Sequence, residues 1–303
     1  MTKGRIYPFD VIIYFYIILL SALILIFGRP LEMYYEPLVV NFGMLIIVSL
    51  IVKLIRDPKN RILLLIRFFY PALLFTIFYE QTGGLMKLFF SNFFDSQLVA
   101  FEARILGIEP TLWLDRHLIR TWITEILSFS YFSYYFLLPI FLLPMFFLKK
   151  YYEIRQALTA ICLTFFASYI LFYLYPIEGP RYHFAGQYMN EISGPIFRPM
   201  VNFMIEGGAI HGGCMPSSHV AVALVILVYS LKYIRPLGLT LLPITIGLAF
   251  GTIYGRFHYI SDVAVGAAIG TVMIILTLKY YSKFDQKIDF PEAEEKRTVT
   301  FVS

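Results

Sequence analysis

Charge is what this chain lacks most. Asp, Glu, Lys and Arg make up 15% of its 303 residues, against 59% hydrophobic residues and a mean hydropathy of +0.71. A soluble domain of this length needs far more polar surface, so the composition excludes that class and points to a polytopic membrane protein. Cysteine is almost missing as well. Cys162 lies midway along an apolar run and Cys214 in a polar loop, which leaves no disulfide framework and no readable redox compartment. No basic run alternates with aromatics as a nucleic-acid groove requires, so the net charge of +5 reads as flanking charge that sets topology. Internal repeats and low-complexity tracts are absent. No small-residue cleavage site follows the first apolar run, which therefore reads as an uncleaved helix.

What the chain has instead is apolar runs of spanning length. Eight are near the ~20 residues that a bilayer requires: Phe9 to Phe27, Leu38 to Ile55, Ile62 to Tyr79, Ile126 to Leu148, Ala157 to Tyr175, Ser218 to Tyr233, Leu237 to Tyr254 and Ser261 to Tyr280. Backbone groups cannot go unpaired in hydrocarbon, so these runs are expected to be helices. The expected fold is an all-α, polytopic transmembrane bundle of about eight spans with a six-helix catalytic core. Pro71, Pro139, Pro144 and Pro243 are expected to mark kinks. Residues 1–8 form an N-terminal segment, 9–281 a single transmembrane catalytic domain and 282–303 a polar, disordered tail.

With the N-terminus in the cytoplasm, the inner segments carry 17 of the 25 Lys and Arg and the outer segments 8, Arg181 and Arg256 among them. That asymmetry puts both termini inside, and the loops bearing Arg181, His219 and His258 together on the other face. Two outer loops are long. Residues 80–125 contain an aromatic-rich piece, Leu85 to Phe94, continuing into Asp95 to Glu102, expected as one or two helices lying in the membrane interface. Residues 176–217 are rich in Gly and Pro and are expected to form a rim over a site.

Polar chemistry concentrates at the ends of the later runs. His258 and Asp262 are four apart at the start of a span, so on a helix they share a face. A carboxylate there can accept from one imidazole nitrogen and leave the other free to attack, which is the logic of an oriented nucleophile. His219 follows Pro216-Ser217-Ser218, where free N–H groups of a helix start and the two Ser hydroxyls make an anion cradle. A His one step further in can protonate the leaving oxygen of a phosphoester. Arg181 and Arg256 supply fixed cations for spreading negative charge. The bland alternatives are helix-end polar residues, an N-cap with an incidental His, and snorkelling arginines. His183 and His211 lie nearby, but no spacing suggests a metal site.

The segments Pro216-Ser217-Ser218-His219 and His258-x-x-x-Asp262 resemble the second and third signatures of the type-2 phosphatidic acid phosphatase superfamily. Its second signature reads Pro-Ser-Gly-His and its third ends in His-x-x-x-Asp. The resemblance is close from Pro176 to Gly266 and loose in the surrounding spans. The first signature normally pairs a Lys with Arg-Pro, whereas here Gly179-Pro180-Arg181 stands with no Lys at the usual offset. The Arg of the third signature is replaced by Thr252. These departures resemble a branch that includes inositol phosphorylceramide synthases, with sphingomyelin synthases similar in the His-Tyr…Asp segment and the run Asp95 to Trp113 also similar to that branch. The resemblance implies His258 as nucleophile, Asp262 as its orienter and His219 as general acid and then base. It implies Ser217, Arg181 and Arg256 as phosphate ligands, beside the Ser218 of the anion cradle. The substrate is then a membrane phospholipid and the acceptor either water or a lipid hydroxyl such as that of ceramide or diacylglycerol. No metal or cofactor is called for. The competing class is a non-catalytic lipid-binding protein or a lipid transporter, which would place polar residues near mid-membrane in broken helices.

Overall fold

The computed structural model describes residues 6–32, 34–55 and 60–285. Every apolar run expected to span is helical. In chain order the helices are α1 (Pro8–Phe27), α2 (Tyr35–Leu54), α3 (Arg61–Leu85), α4 (Asp95–Leu106), α5 (Pro110–Leu118), α6 (Thr121–Phe132) and α7 (Tyr134–Phe147). They continue with α8 (Tyr151–Leu174), the single turn α9 (Pro180–His183), α10 (Phe197–Gly208), α11 (Ser218–Tyr233), α12 (Arg235–Tyr254) and α13 (Ile260–Phe284). Among the described residues there is no strand. Among the described residues six helices are long and apolar enough to cross a membrane, or seven if the bent pair α6 and α7 is counted as one span. The chain is an integral membrane helical bundle.

At about 1.5 Å per residue, the 16 residues of α11 reach only ~24 Å, short of the ~30 Å of a hydrocarbon core. This helix is the centre of the bundle, packed against α13, α12, α8 and α7. In turn α8 receives α1 and α3, and α2 lies outermost against α1. The side chains of Phe15, Leu73, Phe147 and Phe250 point outward and are more than 60% exposed, as lipid-facing residues must be.

Two expectations need correction. The run Ile126 to Leu148 is not one helix: α6 and α7 meet at 47° around Ser133. Ser133 Oγ donates back to the Phe129 carbonyl at 2.8 Å, a bond that bends helices. Pro71 and Pro243, by contrast, lie inside uninterrupted helices. The piece Leu85 to Phe94 is not an interfacial helix either. Met86 and Leu88 turn inward and are buried, and the Phe94 N–H bonds the Pro176 carbonyl at 2.9 Å, drawing the segment across the end of α8. The helices of this outer stretch are α4 and α5.

The bundle end away from His219 and His258 is held by buried ion pairs. Asp10 of α1 and Arg67 of α3 are both fully buried and bonded to each other, one contact being 2.7 Å, and the Tyr70 hydroxyl also donates to Asp10. Arg155 of α8 meets Asp285 at 2.8 Å, and both arginines lie over the Tyr7 ring. Lys3, Arg5, Arg56 and Lys59, expected on the inner side, and the polar tail lie outside the described residues.

Breaking a buried pair leaves a bare charge and costs about 3–5 kcal/mol, whereas replacing both partners with apolar groups is close to neutral. Arg67→Met is therefore expected to lower stability by about that amount, and Asp10→Leu/Arg67→Met to recover a large part of it. Thermal unfolding of the purified protein in detergent reads both. A double-variant loss equal to the sum of the Asp10→Leu and Arg67→Met losses would show that the pair is not coupled.

Candidate active site

The two signature loops meet at one end of α11, α12 and α13. Ser217 is the N-cap of α11, its Oγ accepting from Val220 N at 3.4 Å. Pro216 stands one residue before the cap and not in the first turn. Ser218 and His219 are then the first two helical residues, with N–H groups that have no intrahelical partner. Ser217 N donates to the main-chain oxygen of Asp262 at 2.8 Å, which ties one loop to the other. Ser217 is fully buried and its hydroxyl is committed to the cap, and Ser218 is 3% exposed.

His258 is not on a helix. It precedes Tyr259, the N-cap of α13, and Asp262 reaches back from the third helical position to accept from Tyr259 N at 2.9 Å. The same carboxylate oxygen stands 3.4 Å from His258 Nδ1. The His–Asp pairing expected from a shared helical face thus comes from a capping turn. It is an ion-pair distance with alignment short of a hydrogen bond, and such contacts tighten when a ligand is present. Burial depresses the His258 pKa to about 4, against a smaller opposing effect from its hydrogen bond to the Cys214 backbone. His258 is a neutral imidazole at pH 7.

His219 comes from the other loop, and its ring centroid lies 5.9 Å from that of His258. The break between α6 and α7 sets it in place: Tyr131 stacks on it at 5.4 Å and Tyr134 lies against it at 4.4 Å. The two imidazoles are thus near neighbours, drawn from loops 39 residues apart in the chain.

The arginines are arranged differently from each other. Arg256 occupies left-handed backbone (φ 67°), unusual for a residue with a side chain. Its guanidinium donates to Asp115 at 2.6 Å and to the Asn190 carbonyl at 2.5 Å, and lies 3.7 Å over the Tyr188 ring. It is a strut that binds α5 and the 188–190 loop to the third signature. Arg181, in the turn α9, is exposed, and its guanidinium lies 5.2 Å from the centroid of the Tyr182 ring. His211 pairs with Glu178 at 2.6 Å, away from the two central histidines.

Cys214, His258 and Asp262 place a thiol, an imidazole nitrogen and a carboxylate oxygen within 4.8 Å of one another. The thiol faces the carbonyls of Glu178 and Phe257 at 3.3 and 3.4 Å, and burial pushes its pKa up. A protonated thiol engaged with carbonyls is a poor metal ligand, so the residues fit a packed wall of the pocket better than a metal site.

Sequence reasoning missed the residues that hold these loops. Asp95 at the start of α4 is buried. It accepts from Glu178 N at 2.7 Å, Gly179 N at 2.8 Å and Tyr259 OH at 2.9 Å, joining the first signature to the third. Glu102, also buried, accepts from Ser261 N at 2.6 Å. Glu125 of α6 takes Phe197 N at 2.9 Å and Arg198 N at 3.1 Å at the start of α10. The usable signal was acidic residues in an aromatic stretch of a charge-poor membrane chain, where such groups carry specific partners.

The bundle defines a class: an integral membrane helical protein whose ionisable loop residues gather at one end. A family model described as the PAP2 superfamily matches residues 96–276, more than half of the chain, and the protein belongs to that superfamily. No curated protein and no solved structure gives a significant match. Membership makes it a phosphatase/phosphotransferase-type lipid enzyme. The matched region starts beside Asp95, spans α4 to α12 with most of α13, and leaves α1 to α3 outside.

Each buried N–H left without its acceptor costs about 1–3 kcal/mol. Asp95→Ala is therefore expected to loosen the 176–217 loop and speed its limited proteolysis by about 5- to 150-fold, with bundle helicity unchanged by circular dichroism. Wild-type cleavage rates in that variant would remove Asp95 from the role given to it here.

Proposed function

We propose that this chain transfers a phosphoryl or phospho-headgroup of a membrane phospholipid through a phosphohistidine on His258. The observation that carries the reading is the 5.9 Å approach of the His219 and His258 rings, with Asp262 3.4 Å behind His258. His258, neutral and held from one side, attacks phosphorus, and a P–N bond forms as the P–O bond to the leaving group breaks. Protonated His219 gives its proton to the departing oxygen. In the second half, His219 takes the proton of an acceptor hydroxyl, whose oxygen displaces His258 from phosphorus. With water as acceptor the protein is a lipid phosphatase. With a lipid hydroxyl it is a phosphotransferase of the inositol phosphorylceramide synthase kind, the branch that Thr252 and the missing Lys favour. No step calls for a metal.

The substrate enters from the bilayer. A site at the starts of α11 and α13, with α11 too short for a full crossing, sits at a depth that a headgroup reaches while its tails stay between helices. Both termini lie in the cytoplasm and the site faces the other side, as the Lys and Arg asymmetry supports. A transporter reading fits less well, because the polar residues gather at one end of the bundle and not at its middle.

Proton transfer by a positioned His is typically worth ~10²–10⁴-fold. His219→Ala is expected to lose at least that much turnover of phosphatidate or of a phospholipid donor offered with ceramide, and His258→Ala essentially all. Acid-labile labelled phosphate should be trapped on the wild type and absent from His258→Ala; near-normal turnover by the latter ends the proposal.

The pH dependence follows from the buried nucleophile. With its pKa lowered to about 4, His258 stays neutral as pH falls and becomes inactive only on protonation. With a phosphodiester donor, whose own charge is constant, the acid limb of kcat/KM is expected to have its midpoint near 4 and not near 6.5. A limb at 6.5 that shifts in Asp262→Asn would place His258 in a far wetter site.

A further inference from the structure

A phosphoryl group needs fixed cations, and both usual sources are altered in this chain. The first signature has no Lys at its offset, and Thr252 replaces the Arg of the third. Thr252 is fully buried and its hydroxyl is spent on the Ala249 carbonyl. Arg256, the nearest substitute in sequence, is neutralised by Asp115 and pinned beneath Tyr188. That leaves Arg181 alone among the residues considered so far.

The structure brings in another. Arg198, in the first turn of α10, sits with its guanidinium 5.7 Å from the Phe257 ring centroid. Phe257 directly precedes His258, and its ring lies 4.6 Å from Tyr131, the residue stacked on His219. Arg198 Nε is buried with no hydrogen-bond partner. Among the described residues no carboxylate pairs with Arg198 or Arg181. Glu125, the acid at the start of α10, already receives three backbone N–H groups there, from Ile196, Phe197 and Arg198. Burial, and then the charges of Arg256 and Arg181, lower the Arg198 pKa to about 10. A half-buried cation that has no carboxylate partner and lies near the charge of Arg181 costs free energy that an anion would return. A surface arginine merely stacked on an aromatic would turn its nitrogens to water instead.

We propose that Arg198, together with Arg181, binds the phosphate of the substrate headgroup and takes the place of the cations missing from the first and third signatures. The inference rests on the phosphoryl-transfer reading for the identity of the anion, but its geometry concerns any tetrahedral oxyanion. Arg198 is a phosphate-binding residue on the rim helix, outside both histidine loops.

The test uses the purified full-length protein in detergent, with tungstate as the oxyanion, read by calorimetry and by thermal shift. Charge-assisted hydrogen bonds of this kind correspond to roughly 10- to 150-fold in affinity. Wild type is expected to bind tungstate, Arg198→Gln to bind it about 10- to 150-fold more weakly, and Arg198→Lys to fall between them. The exposed Arg104→Gln of α4, equal in charge change, should bind as wild type does. In turnover of a phospholipid donor, Arg198→Gln should raise KM more than it lowers kcat. Tungstate affinity unchanged in Arg198→Gln, an equal loss in Arg104→Gln, or no tungstate binding by wild type would each overturn the proposal. Tungstate binding that depends on Arg198, in a protein that turns over no phospholipid, would uphold this site and sink the phosphoryl-transfer reading. Loss of turnover in His258→Ala with unaltered affinity in Arg198→Gln would do the reverse.

Discussion

The site exists because two helices touch backbone to backbone. A Cβ on Gly266 of α13 would come within 2.4 Å of the Ser217 carbonyl oxygen, and one on Gly270 within 2.6 Å of that of Ala221. Two glycines four residues apart let α13 lie directly on the first turns of α11, the kind of small-residue approach on which membrane helices depend when no hydrophobic force separates them from lipid. The Ser217 N–H then reaches the Asp262 carbonyl, and the distance between the two histidines follows from that crossing. A parallel contact fixes the other wall, where Gly251 of α12 faces the Leu127 carbonyl of α6. Through it, Tyr131 and Tyr134 are delivered to the edge of His219.

Around this crossing the few charges of the chain are sorted into two layers. At one end, buried Asp10–Arg67 and Arg155–Asp285 pairs tie α1, α3, α8 and α13 together, each charge met by its opposite. At the other end, Asp95, Glu102, Asp115 and Glu125 come from the α4–α6 stretch and are spent on backbone N–H groups, a tyrosine hydroxyl and one guanidinium of the loops opposite. Buried charge in a bilayer protein is costly unless paired. The pairing here has a mechanical result, since the loops that would otherwise be mobile are fastened at four points to one outer ridge.

The spans were legible because length and apolarity alone decide them. The histidines and Asp262 were legible as ionisable groups at the ends of such spans. What could not be read was long-range. Asp95 meets residues 83, 84 and 164 positions away, and no local pattern announces a carboxylate that caps distant amides. The bend between α6 and α7 falls at Ser133, while the prolines that look like breakers lie inside continuous helices. His258 and Asp262 have helical spacing, yet only Asp262 is helical, because the same carboxylate is needed to close the start of α13. Arg256 and Arg198 look alike on paper. Arg256 pairs with Asp115, whereas among the described residues no carboxylate pairs with Arg198.

That last contrast separates two tasks that the superfamily's signatures usually combine. The histidines and Asp262 stand on helix ends welded by the glycine crossing, where small displacements are resisted by close packing. The cations stand on α9 and α10, short elements joined to the bundle mainly by hydrogen bonds to carboxylates. Moving cations off the spans leaves α12 free to keep a buried Thr252 where a charge would need a counter-ion inside the packed bundle. On the reading proposed above, it also puts headgroup recognition on a segment whose sequence can change without disturbing the α11–α13 contact. On that reading, rigidity is concentrated where bonds would be made and broken, and adaptability where the anion would first be met.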